Sequence, residues 1–270
     1  MSISRQQAQP TKQRIGQLGD SHCQLLYDPE LLSHPAAGFL QQEIFSHALD
    51  YQLITAGGRG KAWFIELEGL SAVLRAYQRG GLLAKINRQT YLGWGAEQSR
   101  AFREWRLLHT LYQLGLPVPQ PVAASICRWP SRFSPFYRAH ILLKRIADVQ
   151  TLQQRLTKHP LDKEVWARVG RCIRRFHNLG VYHDDLNASN ILLDHQQRVY
   201  LIDFDKGEIR AQTEEDVDQP APWKQQNLQR LRRSLLKQQG IMQASQAAFY
   251  FSEDDWQCLL RAYIKQGRPV

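Results

Sequence analysis

Residues 182–194 read YHDDLNASNILLD, and after the polar run HQQR the chain continues VYLIDFD to Asp205. The apolar stretches around ILL and VYLI read as two short buried strands joined by a turn. Three carboxylates, a histidine and two asparagines crowd the first of these stretches. Their spacing is H-x-D-L-x-x-x-N, with His183, Asp185, Leu186 and Asn190 at the fixed positions. Asp203 follows Asp185 by 18 residues (203 − 185), and a strand–turn–strand between them returns Asn190 and Asp203 to one place.

Phosphoryl transfer needs such a cluster. One carboxylate orients the attacking hydroxyl and takes its proton, while an Asn and a second Asp hold Mg2+ across the phosphates of ATP. Asp185 is the candidate catalytic base, and Asn190 and Asp203 are the candidate metal ligands. His183 suits a scaffold role in the loop better than a proton carrier. Asn190 counts with the catalytic set as well as with the metal. A polar loop with capping Asp and Asn explains any one of these residues, but not two spaced motifs around a hairpin. The pattern matches the kinase catalytic loop and its D-F-G, with Asp205 replacing the glycine of the latter.

Working outward, Val165, Val169, Cys172, Phe176 and Leu179 repeat at helical spacing before the motif, and Gly180 closes them. After it, helices are expected over about 223–238 and 253–266, the second capped by Ser252. The first half reads as strands, YQLIT (51–55), AWFIEL (62–67) and AVLRAY (72–77), then a helix over about 99–114 with Ala101, Trp105, Leu108 and Tyr112 on one face. Gly115 and Pro117 end that helix, and YRAHILLKRI (137–146) reads as a further strand. GGRGKAW lies between two of the strands, so Gly57, Gly58, Gly60 and Lys61 are candidates to approach ATP phosphates through backbone N–H groups. A plain hairpin turn gives the same composition. Arg75 stands where a phosphate-binding lysine is expected on the third strand, and Glu104 on the following helix is its candidate partner. A solvated surface pair is the alternative. The whole reads as an α+β, bilobal protein-kinase-like fold, with an N-terminal arm and strand-rich lobe over 1–147 and a helix-rich lobe over 148–270.

Composition bounds the partners. With 270 residues, 43% of them hydrophobic, the chain is long enough for two lobes. No apolar run reaches the roughly 18 residues of a membrane span, and the polar, Gln-rich start has no signal-peptide core. A cytoplasmic protein is the expectation. The four cysteines are far apart in sequence and form no C-x-x-C pair, which disfavours zinc and a disulfide framework. A formal charge of +10 suggests an anionic partner. The basic residues are dispersed without a DNA- or RNA-binding signature, so nucleic acid is not expected.

These blocks resemble the 3-deoxy-D-manno-octulosonic acid (Kdo) kinases, in the lipopolysaccharide-kinase branch of the protein-kinase-like fold. The resemblance covers most of the chain after about residue 50. It rests on GRGKAWF (58–64), VLRAYQRGG (73–81), RAFREWRLL (100–108), GLPVPQPVAA (115–124), RCIRRFHNLGVYHDDLNASNILLD (171–194), VYLIDFDKG (199–207) and NLQRLRRSLLK (227–237). It implies transfer of the γ-phosphate of ATP to the 4-hydroxyl of a Kdo sugar on a lipid A precursor, by a peripheral protein at the cytoplasmic face of the bacterial inner membrane. By motif match it makes Asp185 the base and Asn190 and Asp203 the Mg2+ ligands, and it makes an arginine at position 75 less anomalous. No A-P-E motif follows Asp205, and Asn187 stands where protein kinases carry a lysine, so no protein substrate is expected. Another small-molecule phosphotransferase of heptose, choline or aminoglycoside kinase type is the nearest rival. A kinase-like binding module without catalysis would need a lesion at Asp185, Asn190 or Asp203, and each is intact.

One helix is less covered by the motifs. Leu228, Leu231 and Leu235 should pack it on the second lobe, while Lys224, Arg230, Arg232, Arg233 and Lys237 form either a solvated face or a contact with an anionic membrane surface.

Overall fold

The computed structural model describes residues 15–41, 43–54, 62–77, 91–92, 96–129, 131–134, 136–211 and 221–265. The chain divides into two compact units, residues 1–102 with 121–143, and residues 103–120 with 144–270.

The first unit is built on one sheet. Its strands are β1 (Gly16–Gly19), β2 (Cys23–Tyr27), β3 (Asp50–Ile54), β4 (Ala62–Leu67), β5 (Leu70–Ala76), β6 (Tyr91–Leu92), β7 (Pro121–Arg128) and β8 (Phe136–Lys144). They run in the order β1-β2-β7-β8-β5-β4-β3, with β6 also on β8. On β5, Leu70, Ala72, Leu74 and Ala76 are buried at alternate positions while Ser71 is exposed, the period-two pattern of a half-buried strand. Leu67 pairs with Leu70 across a two-residue turn, and Gly69 takes the positive φ (73°) that such a hairpin requires. A short helix, α1 (Glu43–His47), adds Ile44 to a core that includes Leu25, Leu40, Ile65, Leu74, Val122 and Leu142.

Cys23 and Cys127 face each other in register on β2 and β7 and form a disulfide. This corrects the reading of the cysteines as unpaired. The partners are 104 residues apart in sequence, and only strand pairing brings them together.

Helix α2 (Arg100–Gln113) starts in the first unit and continues into the second. It buries Ala101, Trp105, Leu108 and Leu111, whereas Tyr112 is exposed. The second unit continues with β9 (Gln150–Thr151), α3 (Leu152–Leu156), α4 (Lys163–Asn178), β10 (Val181–Tyr182), β11 (Ile191–Leu193), β12 (Val199–Leu201), β13 (Glu208–Ile209), α5 (Pro222–Ala244) and α6 (Glu253–Lys265). Strands β12, β11 and β9 form one small sheet, and β10 and β13 form another. Helix α4 buries Val165, Trp166, Val169, Cys172, Ile173 and Phe176, but Leu179 beyond its end is exposed. Gly170 lets α4 lie against the backbone of Leu259 on α6, where a Cβ would overlap the Leu259 carbonyl oxygen. At the start of α6, Ser252 Oγ accepts from the Asp255 N–H (3.3 Å) and Asp255 Oδ2 accepts from the Ser252 N–H (2.9 Å), a reciprocal cap.

Candidate active site

The segment between β10 and β11 carries His183, Asp185 and Asn190, and Asp203 follows β12. Strands β11 and β12 pair antiparallel, Ile191 with Leu201 and Leu193 with Val199. Their turn is held by Asp194, whose Oδ1 accepts the N–H groups of Gln196 (2.9 Å) and Arg198 (2.8 Å) and whose Oδ2 accepts from Arg198 Nε (2.6 Å). Burial alone would raise the Asp194 carboxyl, but the hydrogen bonds from Arg198 outweigh it and hold the group below the usual carboxylate range.

Ile202 joins the two halves of the motif. Its N–H donates to the Asn190 carbonyl at 3.0 Å, and its own carbonyl lies 2.9 Å from His183 Nε2. His183 Nδ1 is 3.2 Å from the Asp185 N–H, which can only donate. Nδ1 therefore accepts, and Nε2–H donates to Ile202. The neutral ring satisfies both bonds, and burial keeps its pKa below the ordinary value of histidine. The ring also packs on Phe204 at 4.6 Å between centroids, and Phe204 stacks on Phe176 of α4 at 5.8 Å. His183 is thus a brace between the loop and the strand end.

Asn190 is buried, and its Nδ2 donates to the Asp185 carbonyl at 2.8 Å. That bond directs the amide nitrogen inward and leaves Oδ1 as the side-chain atom able to meet a cation. Asp203 sits at φ 68°, a left-handed conformation that a non-glycine residue adopts only where surrounding contacts enforce it. Asp185 is exposed, with Oδ2 accepting from Asn187 Nδ2 at 3.1 Å. Asn187 Oδ1 in turn accepts from the N–H groups of Ser189 (2.8 Å) and Asn190 (3.1 Å). Asn187 stands where a lysine was the comparison, and its role here is to close the loop on itself.

Helix α5 supplies residues that the motif search did not identify. Asn227, 1% exposed, accepts the His183 N–H on Oδ1 (3.2 Å) and donates from Nδ2 to the His183 carbonyl (3.0 Å). Arg230 Nη1 lies 3.4 Å from Asp185 Oδ1. Ser234 Oγ accepts the Ala188 N–H at 3.3 Å. These positions, i, i+3 and i+7, lie on one face of the helix. The stripe runs beside Leu228, Leu231 and Leu235, which are buried as expected. The cations of this helix do not form a single solvated row. Lys224 is buried, Arg230 meets Asp185, and Arg232 pairs with Glu253 at 2.8 Å.

Of the other expected residues, Arg75 is half-buried on β5, opposite Ala62 on β4, with its guanidinium over the Tyr77 ring at 5.2 Å. Glu104 is buried on α2. Arg75 belongs to the first unit and Glu104 to the second. Gly57, Gly58, Gly60 and Lys61 lie outside the described residues.

Mg2+ takes few protein ligands and relies on substrate phosphates and water for the rest. One amide oxygen and one carboxylate, from Asn190 and Asp203, fit that demand. Among the described residues, no group of three or more His, Cys, Asp or Glu side chains is placed to hold a metal.

Residues 50–263 match the lipopolysaccharide kinase (Kdo/WaaP) family. Several relatives carry the name 3-deoxy-D-manno-octulosonic acid kinase, among them the following three. The one from Mannheimia succiniciproducens is 42% identical over 216 residues, 77% of this chain and 83% of its own. That of Xylella fastidiosa strain 9a5c is 42% identical over 211 residues, 78% of each chain. That of Vibrio vulnificus is 36% identical over 250 residues, 93% of this chain and 98% of its own. A loop and strand end joined through Ile202, on a kinase-like mixture of sheet and helices, agree with these likenesses: the chain belongs to the lipopolysaccharide kinase (Kdo/WaaP) family.

Proposed function

We propose that the protein phosphorylates a Kdo sugar, moving the γ-phosphate of ATP to the 4-hydroxyl of Kdo on a lipid A precursor. The observation that carries this reading is the double hydrogen bond of Ile202 to His183 and Asn190, because it draws the Asp185 loop to the segment bearing Asp203. Asp185 orients the acceptor hydroxyl and receives its proton, while Asn187 fixes one of its oxygens. Asn190 Oδ1 and the Asp203 carboxylate are the groups that would hold Mg2+, which when bound neutralises charge on the phosphates. By sequence pattern alone, Gly57, Gly58, Gly60, Lys61, Arg75 and Glu104 remain the residues proposed to serve ATP binding.

The acceptor is lipid-linked in this reading, so the enzyme works at an anionic membrane surface. Among the described residues no helix is long and apolar enough to cross a membrane. Attachment at the cytoplasmic face of the inner membrane would then be peripheral and driven by charge, each Lys or Arg near the surface adding about 1 kcal/mol. Arg232, Arg233 and Lys237 are the exposed cations of α5 to change in a liposome-retention test, with Arg230 left intact because it touches Asp185.

The test is mass spectrometry of a Kdo-bearing lipid A precursor incubated with ATP, Mg2+ and the protein. One added phosphate on the sugar is expected. Asp185→Asn should lower kcat by about 10²–10⁴-fold with ATP affinity kept. ATP turnover that does not depend on the Kdo acceptor would sink the reading.

A further inference from the structure

Arg230 stands in an unusual place for a side chain on a solvent-facing helix. The buried Asn227 grip on His183 and the Ser234 contact with Ala188 fix the face of α5 from which Arg230 emerges. Its guanidinium reaches Asp185 Oδ1, the oxygen that Asn187 does not hold. The contact is a single one at 3.4 Å, and both side chains are about half exposed (43% and 56%). A pair so long and so wet contributes little to stability and is easily exchanged.

That arrangement poses a problem for catalysis. A base must offer a lone pair to the acceptor hydroxyl, yet Arg230 rests on Oδ1 and Asn187 on Oδ2, so the guanidinium occupies the place that the hydroxyl needs. Arginine also presents a planar fork that matches a carboxylate at two points, whereas Asp185 engages only one of its nitrogens here. A sugar acid solves both difficulties, because it carries a carboxylate of its own on the same ring as the hydroxyl that reacts, two ring carbons away.

We propose that Arg230 is the receptor for the acceptor's carboxylate, and that it leaves Asp185 for that group when the sugar acid binds. The proposal rests on the sugar-acid kinase reading above. One residue then does two things. It recognises the acid, and by moving it uncovers the base. A neutral sugar leaves Arg230 on Asp185 and is turned over poorly. Lys206 is the comparison cation. It pairs with Asp184 at 3.7 Å on the same loop, but an ammonium lacks the fork.

The experiment compares a Kdo-bearing acceptor as the free acid and as its neutral methyl ester, using the full chain with ATP and Mg2+. Wild type should prefer the acid by about 10- to 100-fold in kcat/KM, the usual weight of a charge-assisted contact. In Arg230→Gln the acid and the ester should become about equal. The loss should fall on the acid acceptor while the KM for ATP is unchanged. Arg230→Lys should recover part of the preference, and Lys206→Gln should keep all of it. If Arg230 merely braces Asp185, Arg230→Gln loses the same factor on acid and ester, and the proposal is wrong. A preference lost in Lys206→Gln and kept in Arg230→Gln moves the receptor to Lys206 and overturns it equally. Wild type that phosphorylates neither form overturns the sugar-acid reading and this proposal together, an outcome distinct from active wild type with an unaltered ratio.

Discussion

His183 and Ile202 meet at 2.9 Å through the imidazole Nε2 and the main-chain carbonyl, and the ring is neutral and buried. A charged ring there would lose the hydrogen bond that Nδ1 accepts from the Asp185 N–H. Two further histidines, His177 buried and His140 half-buried, are held uncharged in the same sense, each by loss of water. His177 on α4 is pushed down to about 3, and His140 on β8 to about 4. In the unfolded chain all three titrate near 6.5. Below that pH the unfolded state binds protons that the folded state refuses, so stability falls as pH drops. The loss extends down to about 4 for His140 and about 3 for His177. Each contributes up to about 1.4 kcal/mol per pH unit in that window. Urea midpoints should be level above pH 7 and decline between pH 6.5 and 4.5, less steeply in His177→Gln. A level midpoint over that interval would contradict the assignment.

Asn227 saturates both main-chain groups of His183 from inside the protein. Asn227→Ala leaves a buried donor and a buried acceptor without that partner, at about 1–3 kcal/mol each. Denaturant unfolding should show a loss of about 2–4 kcal/mol. Turnover should fall as well, since the loop carrying Asp185 loses its anchor. Equal stability of variant and wild type would remove Asn227 from the scaffold of the site.

The metal assignment separates cleanly by chelation. Asp203→Asn should weaken ATP binding at millimolar Mg2+ and leave binding in excess EDTA unchanged. Isothermal titration in the two buffers measures it directly. The same loss in both would place Asp203 outside the metal site.

The Cys23–Cys127 disulfide closes a loop of 104 residues, and a constraint of that length stabilises by up to about 4–5 kcal/mol through the unfolded chain. Denatured protein kept oxidised should alkylate at Cys172 and Cys258 only, and reduced protein at all four cysteines. Native Cys172 should resist labelling, because burial pushes its thiol up to about 12. Reductant should lower the unfolding midpoint of wild type and not of Cys127→Ala. Four reactive cysteines in the oxidised sample would show that the bond does not form in solution.

Local spacing made the second unit largely legible. The helix of Val165 to Phe176, the hairpin around Asp194 and the Ser252 cap are each written within a few residues of one another. The first unit was less so. Strand β7 is buried at nearly every position, so PVAASICR lacks the alternation that marks a strand with one wet face. Its partner β2 lies about a hundred residues earlier, and the disulfide is invisible until the two strands pair. For the proposed site, Asp185, Asn190 and Asp203 were legible as candidates because kinase-type chemistry spaces them in sequence. Asn227 was not. Helical periodicity identifies the leucine face of α5 but not what the neighbouring stripe touches.

That stripe also sets how this scaffold can diversify. Asn227 is hidden and tied to the main chain of the loop, so drift there unfolds the site before it alters the chemistry. Arg230, one turn further on, is exposed and held by one loose contact. A lineage can exchange the residue at 230 while its fold and its handling of ATP persist. If Arg230 receives the acceptor, a change of acceptor in this chain would fall on that one solvent-facing position, with the geometry of the loop beneath it left as it is.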